Sequence, residues 1–317
     1  MIESIDDQHT TETMNQIVSD VYSRIGEDMA PKMIEIADDP QTLLTDTAVK
    51  VVNALRSWSP SYECPTGLVG PYWDSDLVAD SDELLASAGC AAFHVLLDEL
   101  RFRIEQNEFA PSYFNGSARS PSAAVYFSIV EPSRLTPDNK DIFWDDPDTL
   151  EVEDKYQVMG ESLAVAGDFL AGWLGGDETQ WAWGRLHGLR LLSDVGGLLG
   201  DRSYDNPAKD APLFANDGGL YTVDVADPTP TTCSLDPDAD PNCEPFVQTW
   251  GASTRFVCEA LPEGPSCTIQ LPGGQSGNVE SGNYEDLIFG YLENEPLPVV
   301  FDIEEAKQNA VRTVTFE

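Results

Sequence analysis

Positive charge is scarce in this sequence: 17 Lys and Arg stand against 56 Asp and Glu, with only 3 His, for a net charge of -39 at neutral pH. A chain with no basic excess cannot neutralise phosphates, so nucleic acid and anionic membrane are excluded as partners. No apolar run approaches the roughly 18 residues of a membrane helix, and residues 1–10 have neither the basic start nor the apolar stretch of a secretory signal. No internal repeat is found. The six Cys include no Cys-x-x-Cys pair, which argues against a zinc site of that spacing. Lys is confined to positions 32, 50, 140, 155, 209 and 307, and Asp outnumbers Glu. That balance keeps a surface hydrated in salt, as in a marine or halophilic source, but identifies no reaction.

What the chain has in quantity is apolar and aromatic material: 41% hydrophobic residues, with 7 Trp, 13 Phe and 10 Tyr among 317. A substantial core follows, and the acidity belongs to a solvated surface rather than to a disordered polyanion. The Cys number is even, and two pairs are close in sequence. Cys233 and Cys243 bracket an Asp/Pro segment, and Cys258 and Cys267 flank Pro262 to Pro265, which leaves Cys64 with Cys90. Disulfides are the expected reading, and with them an oxidising, periplasmic or extracellular compartment.

Periodicity divides the chain near residue 190. Met14, Ile17, Val21, Ile25, Met29 and Met33 recur at helical steps behind Thr10 and Thr11 as N-caps, and residues 43–58 repeat the pattern. A further helix is expected over 82–105, with Leu85, Ala92, Leu96, Leu100 and Phe102 near one face, and another over 157–174. Residues 109–147 read as irregular. From 196 onward Gly and Pro punctuate short β-branched runs, and strands are expected at 221–225, 253–260 and 267–271. The connection over 261–266 is short enough to set Cys258 beside Cys267 in a hairpin. The fold class is therefore α+β: a helical part over 1–190 and a β-rich, mostly antiparallel part over 191–317, expected as one structural unit.

Four segments in order carry a resemblance: Trp181-Ala182-Trp183-Gly184-Arg185-Leu186-His187; Gly218-Gly219-Leu220-Tyr221-Thr222-Val223-Asp224-Val225-Ala226; Gly251-Ala252-Ser253-Thr254-Arg255-Phe256-Val257; and Leu271-Pro272-Gly273-Gly274-Gln275-Ser276-Gly277-Asn278 with Ser281 to Tyr284 and Asn294-Glu295-Pro296-Leu297-Pro298. Together they resemble the C-terminal portion of the β subunit of the penicillin acylase family, whose relatives include acylases of acyl-homoserine lactones. The resemblance implies an N-terminal nucleophile hydrolase of αββα architecture. In such an enzyme a newly exposed Ser hydroxyl attacks an amide carbonyl, its own α-amine acts as base, and an Asn with backbone N–H groups holds the oxyanion. The family's Gly-Ser-Asn junction and Asn-Asn motif do not occur in these residues. The chain is thus expected to be a scaffold portion without the nucleophile, inactive alone, whose partner is the nucleophile-bearing part of the same enzyme. A truncated gene model, a split gene and an inactive remnant are the three origins considered, and the intact motifs favour the first two. A noncatalytic assembly partner is the alternative function.

Individual residues are weighed on the same basis. His187, beside two Trp, is expected to fix a helix end rather than move protons, because the family's base is an amine. Arg185 and Arg255 are expected to pair with buried carboxylates or carbonyls, and Trp181 and Trp183 to be core. Gly274, Gln275, Ser276 and Gly277 miss the Gly-x-Ser-x-Gly elbow at Asn278, which argues against a Ser276/His187/Asp224 triad and for a tight glycine turn. Asp236, Asp238 and Asp240 alternate with Pro237, Ala239 and Pro241, but without the Gly and Glu of a calcium loop they read as a solvated acidic segment. No metal and no cofactor are expected, and the substrate-binding residues are left unassigned.

Overall fold

The computed structural model of the chain describes residues 10–70, 78–108, 123–134, 143–145, 152–189, 214–230, 246–251, 254–274, 281, 283 and 286–308. They fall into two compact units, one within Met1–Asp20 and Ala252–Glu317, the other within Val21–Arg190 and Asp210–Gly251. The architecture is mixed helix and sheet, as the α+β expectation requires.

The larger unit is built on helices α2 (Arg24–Ala37), α3 (Asp46–Trp58), α4 (Ser81–Glu108), α5 (Ala123–Ile129) and α6 (Lys155–Leu174), with α3, α4 and α6 packed on one another. The first expected helix is in fact two: α1 (Thr11–Val18), in the smaller unit, and α2. The break has a hydrogen-bond cause. Val21 and Ser23 exchange backbone bonds with the 62–64 segment, Cys64 N–H to Val21 O at 3.0 Å and Ser23 N–H to Tyr62 O at 2.8 Å. Ser23 then starts α2 afresh, its Oγ accepting Gly26 N–H at 3.1 Å. Thr10 caps α1 as expected, in a reciprocal box with Thr13.

Helix α4 is buried almost all round through Cys90–Leu97, so it is the central helix of the unit rather than an amphipathic surface one. Phe102, expected near its inner face, is 58% exposed. It stands two residues beyond Leu100, about 200° further round the helix. The stretch expected to be irregular contains α5 and a 3₁₀ turn at Pro132–Arg134.

Trp58 closes α3 and is fully buried. Glycines on two helices make room for it: a Cβ at Gly89 of α4 would lie 2.0 Å from Trp58 Cβ, and one at Gly26 of α2 would lie 2.4 Å from Trp58 Cη2. Its Nε1–H donates to Glu63 O at 2.6 Å, so the indole is enclosed without an orphaned donor. The unit also holds a three-stranded sheet of β1 (His187–Leu189), β2 (Ala226–Pro230) and β3 (Phe246–Gly251) in the order β1-β3-β2. Its β1–β3 pairing is parallel, an exception to the antiparallel expectation.

In the smaller unit β4 (Arg255–Leu261) and β5 (Gly264–Gln270) form an antiparallel hairpin, and β6 (Leu297–Pro298) extends it on the β5 side. The turn is two residues, Pro262 and Glu263, tighter than the expected connection. Cys258 and Cys267 are direct cross-strand partners and are bonded. Helices α7 (Ile288–Leu292) and α8 (Ile303–Gln308) complete this unit. The expected strand at 221–225 is instead a turn, because the Thr222 hydroxyl accepts Gly219 N–H and bonds back to Gly219 O, both at 2.9 Å.

Candidate functional site

The motif residues assemble in two places. In the larger unit, the segment from Trp181 to Leu186 is pinned from three directions. Trp181 and Trp183 are both fully buried. Trp183 donates its backbone N–H to Ser87 Oγ at 2.7 Å and its ring N–H to Gly218 O at 2.8 Å. Trp181 donates its ring N–H to Gly175 O at 2.8 Å. Gly184 donates to Thr66 O at 2.8 Å and packs so closely on Thr66 that a Cβ would lie 2.9 Å from Thr66 Cβ.

The second motif closes over the first. Gly218 N–H donates to Cys64 O at 2.7 Å, and the neighbouring Asp217 carboxylate accepts Thr66 N–H at 2.7 Å. Gly218 has φ +97°, and a Cβ there would lie 1.9 Å from Asp224 O, so only glycine fits. Beneath lies the Cys64–Cys90 disulfide, both residues fully buried. His94 is stacked between Trp183, centroids 4.8 Å apart, and Tyr221, 6.3 Å apart.

His94 and Ser87 escaped the sequence reading. Their signal was present: Ser87, Cys90 and His94 stand at three- and four-residue steps on one stripe of the otherwise apolar stretch 84–97 of α4. Sulfurs and imidazole lie within 4.8 Å of one another, but the sulfurs are spent on each other and offer no thiolate to a metal. Ser87 Oγ accepts from Trp183 and donates to Thr66 O at 2.9 Å, and the Thr222 hydroxyl is similarly committed to its own turn. These hydroxyls hold backbone. At the rim, burial and the charges of Asp217 and Asp80 raise the Glu83 carboxyl above its ordinary range.

In the smaller unit Arg255 is 7% exposed and its guanidinium donates to the amide oxygens of Gln270, at 3.1 Å, and Asn294. It also lies 5.3 Å from the Tyr291 ring centroid. The acceptors are side-chain amide carbonyls. Gln270 returns its Nε2–H to Gly290 O at 3.3 Å, so the network ties α7 to the hairpin. The same unit has an open groove of about 680 Å³ lined by Thr11, Asn15, Ser19, Glu259, Thr268 and Asn294 among others. Arg185 lies half-buried in the 3₁₀ turn at Trp183–Arg185, Gly274 follows β5, and Asp224 is buried. The His187 side chain, Gln275, Ser276 and Gly277, the acidic run at Asp236, Asp238 and Asp240, and the pair Cys233 and Cys243 lie outside the described residues.

The sequence pattern of the penicillin amidase family matches residues 1–308. Three proteins named acyl-homoserine lactone acylase QuiP are similar to the chain. That of Pseudomonas putida is 29% identical over 214 residues, covering 63% of this chain and 22% of the relative. That of Pseudomonas aeruginosa is 33% identical over 229 residues, 68% and 25% respectively. That of Pseudomonas fluorescens Pf0-1 is 30% identical over 215 residues, 66% and 23%. The chain thus spans about a quarter of the length of the relatives it matches.

Proposed function

The chain belongs to the penicillin amidase family, and from that premise we propose that it is a scaffold portion of an amidohydrolase that cleaves linear amides of acylated amines. Acyl-homoserine lactones are the substrate class that the names of its relatives suggest. The observation that carries the reading is the family match over residues 1–308 in a chain that contains no Ser-Asn dipeptide.

In this reading the nucleophile belongs to another part of the enzyme. Its terminal Ser hydroxyl adds to the amide carbonyl while its α-amine takes the proton. The tetrahedral oxyanion collapses, the amine leaves with a proton, and water hydrolyses the acyl-Ser. This chain contributes helices and strands toward an αββα framework, and the pinned Trp181–Leu186 segment and the Arg255 anchor support that rigid role. The hydroxyls of Ser87 and Thr222 are already committed to backbone partners, which fits a part that does no chemistry itself. The Cys64–Cys90 and Cys258–Cys267 disulfides support an oxidising, extracytoplasmic setting. No helix among the described residues is long and apolar enough to cross a membrane.

Turnover of a chromogenic acyl amide and of an N-acyl homoserine lactone tests the proposal. The isolated chain is expected to be silent with both. Turnover by the isolated chain, abolished in Ser276→Ala, would overturn it.

A further inference from the structure

The hairpin sheet of the smaller unit has its polarity reversed. Residues that alternate along a strand share a face, and cross-strand partners share it too. One face therefore carries the row Phe256, Ile269 and Leu297 across β4, β5 and β6. The next row on that face is the Cys258–Cys267 disulfide with Val299, whose N–H continues the pairing to Cys267 O at 2.8 Å. A third row is Ala260 opposite Pro265. No side chain in these rows is charged.

The opposite face holds the charged and amide groups, and it is the covered one. Glu259 accepts the backbone N–H and the hydroxyl of Thr11 on α1, each at 3.2 Å, Thr268 bonds Asn15 at 3.0 Å, and Arg255 with Gln270 holds the α7 turn. Much of the apolar face is left outside: Phe256 is 56% and Leu297 44% exposed, with Phe301, just beyond, at 55%, around a half-buried Ile269 and a buried Cys267. A half-buried sheet turns its apolar face inward, because that burial drives its packing. Here the inward face carries Arg255, Glu259, Thr268 and Gln270 beside the buried Val257.

We propose that this apolar face is the docking surface for the nucleophile-bearing part of the same enzyme, which seats an uncharged apolar element against it. The inference rests on the functional reading above and adds the location of the contact. Two observations select the occupant. The relatives carry about three quarters of their length outside the match, 22–25% being covered. A second copy is disfavoured, since each copy brings a charge of -39 to the contact. Among the described residues β4 is an edge strand, and the alternate backbone groups on its outer side are ones a partner strand can pair.

The test co-expresses this chain with the unmatched part of the Pseudomonas putida relative and measures co-purification, affinity and amide exchange. One-to-one co-elution is expected, with slowed exchange across β4 and β5. Phe256→Asp with Leu297→Asp is expected to weaken it at least tenfold, and the milder Phe256→Ser several-fold. Phe102→Asp, at an exposed apolar site on α4, is expected to leave it unchanged. Retention of the Cys258–Cys267 bond in each variant shows that the hairpin still forms. Co-elution that the face variants do not weaken overturns the docking surface but leaves the functional reading standing. Failure of the unsubstituted chain to co-elute overturns both. Self-association that the same substitutions dissolve overturns the choice of occupant.

Discussion

The imidazole of His94 lies parallel to the indole of Trp183, 12° between planes and 4.8 Å between centroids, and so joins the central helix to the first family motif. Trp183 also gives its ring N–H to Gly218 O in the second motif, so one side chain fastens both. Trp183→Phe keeps an aromatic ring but leaves that buried carbonyl without its donor, a loss of about 1–3 kcal/mol. Trp183→Ala adds a cavity and is expected to cost about 3–5 kcal/mol. The Trp residues among those described all lie within the larger unit. Urea unfolding followed by Trp fluorescence therefore reports on that unit, and a Trp183→Phe midpoint equal to that of the parent chain would show that the ring N–H matters little.

Gly89 faces Trp58 with no room for a methyl group, a Cβ there falling 2.0 Å from Trp58 Cβ. Gly89→Ala is expected to push α3 and α4 apart and destabilise by at least about 1–3 kcal/mol, although Ala is the better helix former. Gly176→Ala is the control, since its Cβ would meet only Lys50 Nζ at 3.7 Å. The same unfolding measurement should show a lowered midpoint for the first and little change for the second.

Arg255 serves two amide oxygens and an aromatic face at once, which a planar fork can do and a single ammonium cannot. Arg255→Lys is therefore expected to fail as a conservative change and to cost about 1–3 kcal/mol in the smaller unit. The measurement is amide exchange in β4, β5 and α7. Protection equal to the parent chain would show that the charge alone suffices.

The helices were legible because their signals are local. Thr10 and the 3.6-residue spacing sufficed to find α1, and the apolar density of residues 84–104 to find α4. The break between α1 and α2 was not, because it depends on residues 62–64 accepting and donating backbone bonds some forty positions away. The turn in place of the expected strand at 221–225 has a different, local reason. Its β-branched residues look strand-like, but the Thr222 hydroxyl competes for the backbone. Of the candidate site, the Trp and Gly motifs could be read and the Ser87/Cys90/His94 stripe was there to be read. What His94 stacks on is a tertiary fact that no spacing along α4 contains.

The two disulfides among the described residues are expected to respond differently to reductant. Cys64 and Cys90 are fully buried, whereas Cys258 is exposed. Dithiothreitol under native conditions is expected to open Cys258–Cys267 first, with Cys64–Cys90 reduced only as the larger unit unfolds. Loop closure over separations of 26 and 9 residues puts their contributions at about 3.5 and about 2.6 kcal/mol respectively. Timed alkylation with peptide mass mapping reads the order directly, and simultaneous labelling of both pairs would contradict it.

Alkaline pH is expected to weaken the larger unit through Tyr22. Burial first, then the hydrogen bond and negative charge of Glu27, push its phenol up to about 12 from an ordinary value near 10. The folded state thus holds this proton more tightly than the unfolded chain. Its contribution to stability is complete below pH 10, where both states are protonated, and is lost between pH 10 and 12 as the unfolded chain ionises first. Urea midpoints measured across that interval should fall more steeply in the parent chain than in Tyr22→Phe, which has no proton to lose. Absorbance at the phenolate band should likewise show a late-titrating component that Tyr22→Phe removes. Tyr126, raised by burial and Asp28, remains as a smaller late component in both proteins. Parallel midpoint curves for the two proteins would place the alkaline sensitivity elsewhere.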